Sequence, residues 1–261
     1  MKVLKRVVIA VLALVLVVAV GLGALLGSAF WGAVPLPAGA DLPGGARLVK
    51  DGMVAAFVLP VGGGAVALID CGQDPEAHAI LADLGRHGAT ADDVQTIFLT
   101  HGHGDHTAGC RQFPGAEVLM LAPDAGLAAG TASAHGPLTR FMRNGPDKAI
   151  EMTHPLHDGE TVETGTLSVR VFALPGHTAG SAAYLANGVL FLGDSATTRV
   201  DGTFAGAPWP FTDDVARNHA ALRAMAGRIA AEQVEVLTLA PAHSGPQQGT
   251  AALQAFAARG D

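Results

Sequence analysis

The sequence predicts an α+β fold in which two β-sheets pack face to face with helices on the outside, preceded by one transmembrane helix. Three observations carry this expectation. Twenty residues without a charge, Val7 to Leu26, follow Lys2, Lys5 and Arg6. Beyond them, short apolar runs alternate with segments of helical spacing, in two strand-rich halves each closed by helices. The 34 glycines and 15 prolines are scattered along the chain, as many short turns require.

At about 1.5 Å of rise per residue, the uncharged run spans a hydrocarbon core of about 30 Å. A buried core helix is the weaker reading, because nothing polar marks a solvent face. A cleaved signal peptide is the rival, with Gly27–Ala29 as its cleavage site, but its apolar region is usually about 7–15 residues. Residues 1–31 are therefore read as a membrane anchor. The basic residues before the span put the N-terminus in the cytoplasm of a bacterial-type inner membrane and the rest outside. Setting aside Lys2, Lys5 and Arg6 leaves 13 of the 16 basic residues against 23 acidic ones, a balance of −10. That balance gives a nucleic-acid partner no electrostatic support.

Residues 32–45, "GAVPLPAGADLPGG", read as a Pro/Gly-rich linker, and 46–261 as one domain. "MVAAFVLP" and "GAVALID", joined by glycines, read as a hairpin of buried strands. "PEAHAILADLGRHG" has a proline near its start, a glycine at its end and helical apolar spacing. "VQTIFLT" and "AEVLML" are further strands. The stretch from Asp124 to Asp147 reads as loop or weak helix. "LSVRVFAL", "SAAYLAN" and "GVLFLGD" read as consecutive antiparallel strands. A helix follows over 213–231, a strand over 234–241 and a last helix over 247–259.

The strand "VQTIFLT" runs straight into "HGHGDH", which places His101, His103, Asp105 and His106 on one loop and the start of the next helix. So many donors on so short a loop cannot all serve one small ion. Two ions about 3.5–4 Å apart can share them, each taking further ligands from elsewhere. Three candidates sit where apolar strands end: His177 in "LPGHTAGS", Asp194 in "VLFLGDS" and His243 in "LTLAPAHSG". Asp194 is placed to bridge two cations. His78, His87, His135, His154, His157 and His219 lack such a setting and read as solvated surface, with His135 the best of them for substrate contact. Cys71 and Cys110 both fall near the cluster; an extracytoplasmic location permits a disulfide between them, and two buried thiols are the alternative.

Asp70, "HGHGDH", His177, Asp194 and His243, in that order, resemble the metallo-β-lactamase-fold hydrolase superfamily from about Leu48 onward. "LIDCG", "LTHGHGDHTAG", "LPGHTAGS" and "LGD" are similar to its motifs. The resemblance implies a four-layer αββα sandwich with a dinuclear metal site, zinc by expectation and iron or manganese as alternatives. It implies that His101, His103 and His177 hold one ion, that Asp105, His106 and His243 hold the other, and that Asp194 bridges them. Asp70 would orient the histidine loop from behind. A hydroxide shared by two metals would be the nucleophile, with Asp105 as the catalytic group that orients it and passes its proton on.

Departures narrow the branch. The family's true β-lactamases lack the bridging carboxylate expected of Asp194, so the chain looks like the glyoxalase II-like and lactonase-like branch. Only 18 residues follow His243, which leaves no room for the helical extension of glyoxalase II. The expected activity is hydrolysis of a small ester, thioester, lactone or phosphodiester. The alternatives are a mononuclear iron persulfide dioxygenase and a membrane-tethered, non-catalytic metal-binding module. Metal content separates all three.

Overall fold

The structure, a computed structural model, describes residues 2–259; Met1, Gly260 and Asp261 lie outside the described residues. Helix α1 (Lys2–Ala29) holds the apolar run. Its Leu4–Ala29 portion, with a mean hydropathy of 3.1, is long and apolar enough to cross a membrane, a test that a signal sequence also passes.

The first sheet takes seven strands in sequence order: β1 (Gly39–Asp41), β2 (Arg47–Asp51), β3 (Val54–Gly62), β4 (Ala65–Ile69), β5 (Val94–Phe98), β6 (Glu117–Leu121) and β7 (His154–Leu156). Pairing is antiparallel from β1 to β4 and parallel from β4 to β7. The parallel steps are crossovers; the one between β4 and β5 carries helix α2 (His78–Arg86), and that between β5 and β6 carries α3 (Gly104–Thr107). Helix α4 (Ala125–Ala128) is a single turn after β6, in the stretch read as loop or weak helix.

The second half supplies β8 (Thr161–Thr164), β9 (Leu167–Ala173), β10 (Ala182–Ala186) and β11 (Val189–Gly193), all antiparallel neighbours. A small ribbon, β12 (Ala196–Thr198) with β13 (Phe204–Gly206), precedes helix α5 (Val215–Ala231). Strand β14 (Thr238–Pro241) then joins β11 in parallel, β15 (Gln247–Gln248) closes the edge, and α6 (Ala251–Ala258) ends the described chain.

Alternation along the strands sorts the core into three layers. Between the sheets lie Phe57, Phe98, Tyr184 and Phe191, with Phe57 and Phe191 ring centroids 4.8 Å apart. Ile80 and Leu84 of α2 cover the outer face of the first sheet. Leu222, Met225 and Ile229 of α5, with Leu253 and Phe256 of α6, cover the second. Each fully buried side chain of this size stabilises the fold by about 1.5–3 kcal/mol, so the sandwich rests on these layers rather than on its loops. The fold is the expected αββα sandwich.

Two expectations need correction. The Pro/Gly segment is no free linker: β1 lies inside it and pairs with β2, Leu42 is buried, and Gly245 N–H donates to the Val34 carbonyl. Proline removes a donor but leaves carbonyls, so such a segment still serves as a sheet edge. The last helix also starts late, because Gly249 takes a left-handed φ of 67° and residues 247–248 pair as β15.

Candidate metal centre

Asp70, His101, Asp194 and His243 follow the C-terminal ends of β4, β5, β11 and β14, and His177 stands in the turn between β9 and β10. Parallel strands of one sense bring their ends to one rim, so residues far apart in sequence converge there. Gly102 and Gly104, between the histidines, have negative φ and serve for room, not for strain. A Cβ on Gly102 would lie 2.7 Å from the Ala128 amide nitrogen, and one on Gly104 would lie 2.7 Å from Asn144 Oδ1.

Two groups of donor atoms result. In the first, His101 Nε2, His103 Nδ1 and His177 Nε2 stand 3.0, 3.1 and 3.2 Å apart. In the second, His243 Nε2 lies 3.3 Å from Asp105 Oδ2, and His106 Nε2 lies 3.8 Å from the same oxygen. Asp194 sits between them. Its Oδ1 is 3.2 Å from His106 Nε2, and its Oδ2 is 3.2 Å from His243 Nε2 and 3.6 Å from His177 Nε2. The structure thus gathers all seven donors named from the sequence.

The outer ring nitrogens assign the tautomers. His106 Nδ1–H donates to Asp70 Oδ2 at 2.8 Å, and His243 Nδ1–H donates to the Met53 carbonyl at 2.7 Å. Thr100 Oγ1 donates to Asp70 Oδ2 and so is free to accept from His101 Nδ1–H at 3.1 Å. Thr212 donates to the Pro208 carbonyl and accepts from His177 Nδ1–H at 3.4 Å. The Nε2 atoms of His101, His106, His177 and His243 therefore face inward, each free to ligate once its ring is neutral. In the first group three nitrogens face one another with no proton able to serve all three contacts.

That arrangement fits a cation. Nitrogens 2.0–2.1 Å from a tetrahedral centre lie about 3.3 Å apart, close to the 3.0–3.2 Å spacing of the first group, while the second is looser, at 3.3 and 3.8 Å from Asp105 Oδ2. His106 Nε2 and Asp194 Oδ1 are buried without a protein hydrogen-bond partner, as inward-facing ligand atoms would be.

Electrostatics divide the two groups. Burial, reinforced by its histidine neighbours, holds His101 well below the ordinary imidazole range, and burial pushes His177 down to about 3. Both stay neutral and ready to ligate. Burial opposes protonation of His243 as well, but the Asp194 charge beside it raises it to about 10; Asp194, Asp70 and Asp105 likewise raise His106. Burial would lift Asp194, yet the charges of His243 and His106 hold it far below the carboxylate range.

Asp70 is fully buried and takes a left-handed φ of 57°, which turns its carboxylate onto Thr100 N–H, Thr100 Oγ1 and His106. A non-glycine residue pays for that conformation only where the surroundings hold it. Asp124, which sequence reasoning passed over, ties two loops together. It accepts from Gly102 N–H at 3.0 Å, Thr178 Oγ1 at 2.6 Å and Gly180 N–H at 2.6 Å, and so links the first histidine loop to the His177 turn. Its partners are 22 to 56 residues away, and no local pattern marks it. His135 lies exposed, its N–H donating to Asp213 Oδ1. Cys71 and Cys110 form a disulfide, with Cα atoms 5.2 Å apart, directly behind the histidine helix α3.

Residues 49–243 match the family model described as the metallo-beta-lactamase superfamily. Among curated relatives, hydroxyacylglutathione hydrolase of Vibrio cholerae serotype O1 is 30% identical over 132 residues, covering 49% of this chain and 41% of its own. That of Aliivibrio salmonicida is 35% identical over 127 residues, covering 47% and 40%. The match thus spans about two fifths of the length of these relatives. Among solved structures, a B3 metallo-beta-lactamase with an active-site glutamic acid superposes with a TM-score of 0.64 at 23% identity, covering 89% of this chain and 90% of that one. A metallo-beta-lactamase family protein from Thermus thermophilus does so at 0.58 with 26% identity, covering 83% and 77%. With the family model matching about three quarters of its length, the chain belongs to the metallo-β-lactamase superfamily of metallo-hydrolases.

Proposed function

We propose that the protein is a dinuclear metal-dependent hydrolase of small acyl substrates, thioesters first, with esters, lactones and phosphodiesters as the other members of the class. The observation that carries this reading is the position of Asp194 between two donor groups, each compact enough for one cation. His101, His103 and His177 would hold one ion, Asp105, His106 and His243 the other, and Asp194 both. Zinc suits a site of imidazole and carboxylate; iron and manganese are the alternatives. Relatives named hydroxyacylglutathione hydrolase favour the thioester within the class.

When bound, a pair of divalent cations lowers the pKa of water and polarises the substrate oxygen. The chain's own residues do the rest. Asp70 and Thr100 fix the rings of His106 and His101, and the Met53 carbonyl fixes that of His243. Asp105 is the donor that reaches solvent, with 39% of its side chain exposed against 8% for Asp194. Burial would raise it, but the His106 charge and the hydrogen bond with His243 keep it ionised. It can accept a proton from the attacking water and deliver it to the leaving group. The water oxygen bonds to the acyl carbon, the carbon–sulfur bond breaks, and that proton ends on the thiol.

The reading places the domain outside the cytoplasmic membrane, held by α1. Its supports are the apolar span, the basic residues before it and the disulfide, a bond that persists in oxidising compartments. A reporter fused after the last residue should be active only outside the cytoplasm. A panel of acyl thioesters, esters, lactones and phosphodiesters, assayed on protein loaded with zinc, iron or manganese, tests the chemistry. Turnover of an acyl thioester or ester with zinc supports it. Oxygen consumption with persulfide by a one-iron form would replace it.

A further inference from the structure

The helix that spans the membrane does not lead away from the site; it ends beside it. Phe30, the first residue after α1, stands with its ring centroid 5.9 Å from that of His243 and 6.2 Å from that of Phe211. Phe211 belongs to the turn that carries Thr212, the partner of His177. The chain then returns along the same rim: Val34 N–H donates to the Thr198 carbonyl, Val200 N–H donates to Gly32, and Arg199 donates to the Trp31 carbonyl. The end of the span is thus fastened to the loops that hold two of the proposed ligands.

Exposed apolar side chains collect at the same place. Among the described residues beyond α1, the large apolar side chains left exposed are Trp31, Met53, Phe141, Met142, Val200, Trp209 and Leu237. Only Leu237, at the opposite end of β14, lies away from the rim. The Met53 carbonyl receives His243, Trp209 opens the turn against Phe30, and Leu138 N–H binds the Pro210 carbonyl to fasten the 138–142 segment to that turn. Within this segment Phe141, 82% exposed, and Met142 lie between Arg140 and Arg143. Asn144, just beyond, donates to the Gly102 carbonyl of the histidine loop. Aromatic and basic residues side by side suit a bilayer surface, where rings sit at headgroup level and cations meet anionic lipid. A patch of this kind on a soluble face would be a liability.

At about 1.5 Å per residue, Leu4–Ala29 exceeds a hydrocarbon core of about 30 Å, which leaves its last turn and Trp31 at headgroup depth. From this we propose that the mouth of the site rests on the outer surface of the membrane and takes its substrate from it. That substrate is an acyl thioester or ester whose chain is long enough to dwell in the bilayer. Resting on the hydrolase reading, the proposal makes the acyl chain the specificity element: it lies along Phe30, Trp31, Phe141, Met142 and Trp209 while its carbonyl reaches the metals. Water adds to the acyl carbon, and the products are a fatty acid and a thiol or alcohol.

Trp31 and Trp209 are the protein's two tryptophans, so fluorescence reads the seating directly and without turnover. Full-length protein is reconstituted in vesicles of phosphatidylethanolamine and phosphatidylglycerol, with brominated lipid as quencher. The expected result is quenching of both, and of Trp209 alone in Trp31→Phe. Quenching of Trp209 only by aqueous iodide would overturn the seating. In the second arm, kcat/KM for acyl thioesters on zinc-loaded vesicles should rise at least about tenfold from butyryl to decanoyl, since each buried methylene contributes to binding. Phe141→Ser with Met142→Ser, both exposed, should flatten that rise. Equal kcat/KM across chain lengths would overturn the substrate class and leave the hydrolase reading standing. Absence of turnover of thioesters and esters at every length would overturn the substrate class; the hydrolase reading then stands or falls on lactones and phosphodiesters, and the fluorescence still decides the seating.

Discussion

Asp124 shows what a single side chain contributes to a site it never enters. Its carboxylate is buried and accepts three hydrogen bonds, from Gly102, Thr178 and Gly180. Asp124→Ala strands those donors, so it should lower stability by about 2–4 kcal/mol in denaturant unfolding and metal affinity about 10–100-fold. Unchanged affinity would reduce Asp124 to a local brace. His243 yields a pH prediction. Below a pKa raised to about 10 its Nε2 carries a proton that competes with metal, and a rise in pH removes that competitor. Apparent metal affinity should therefore increase with pH between about 6 and 9, with protons released on binding, both readable by titration calorimetry in buffers of different ionisation enthalpy. A flat profile would mean that the His243 proton does not compete. The seven donors were legible in the sequence because each sits at a strand end or in the six-residue histidine motif. Asp124 was not, because its partners are distant and its own surroundings read as loop.

At the level of elements, the sequence marked strands best where both faces are buried. The runs forming β3, β4, β10 and β11 are nearly continuous apolar stretches with glycines close by, and they appear where expected, as do β5 and β9, in which Gln95, Ser168 and Arg170 interrupt the apolar pattern. Strand β1 was missed because edge pairing needs only half of the backbone groups, so a Pro/Gly-rich segment can supply it. The disulfide joins the end of β4 to the helical segment after the histidine motif, across 39 residues of chain. Closing a loop of that length stabilises by about 3–4 kcal/mol in the chain-entropy account. Cys71→Ser with Cys110→Ser should lower the free energy of unfolding by about that amount; no loss would show that packing alone sets the loop. The donors, by contrast, lie on loops and on the one-turn helix α3, while the strands carry the apolar layers. Chelation should therefore abolish activity while far-ultraviolet circular dichroism keeps its amplitude. Global unfolding on metal removal would make the ions structural.

For the whole molecule, fold and metal rim follow from order along the chain, but the closeness of α1 to the site does not. Nothing in the sequence places Phe30 against His243; only the return of residues 32–34 along β12 does so. The central claim is that Asp194 joins two metal ions in one hydrolytic site. Metal content and turnover of zinc-loaded wild type and Asp194→Ala, measured on the same samples, test it most directly. The expected result is two ions per chain in the wild type, a fall towards one in the variant, and a kcat lower by at least about 10²-fold, a loss of several kcal/mol of transition-state stabilisation. Two ions retained in Asp194→Ala with undiminished kcat would contradict the claim.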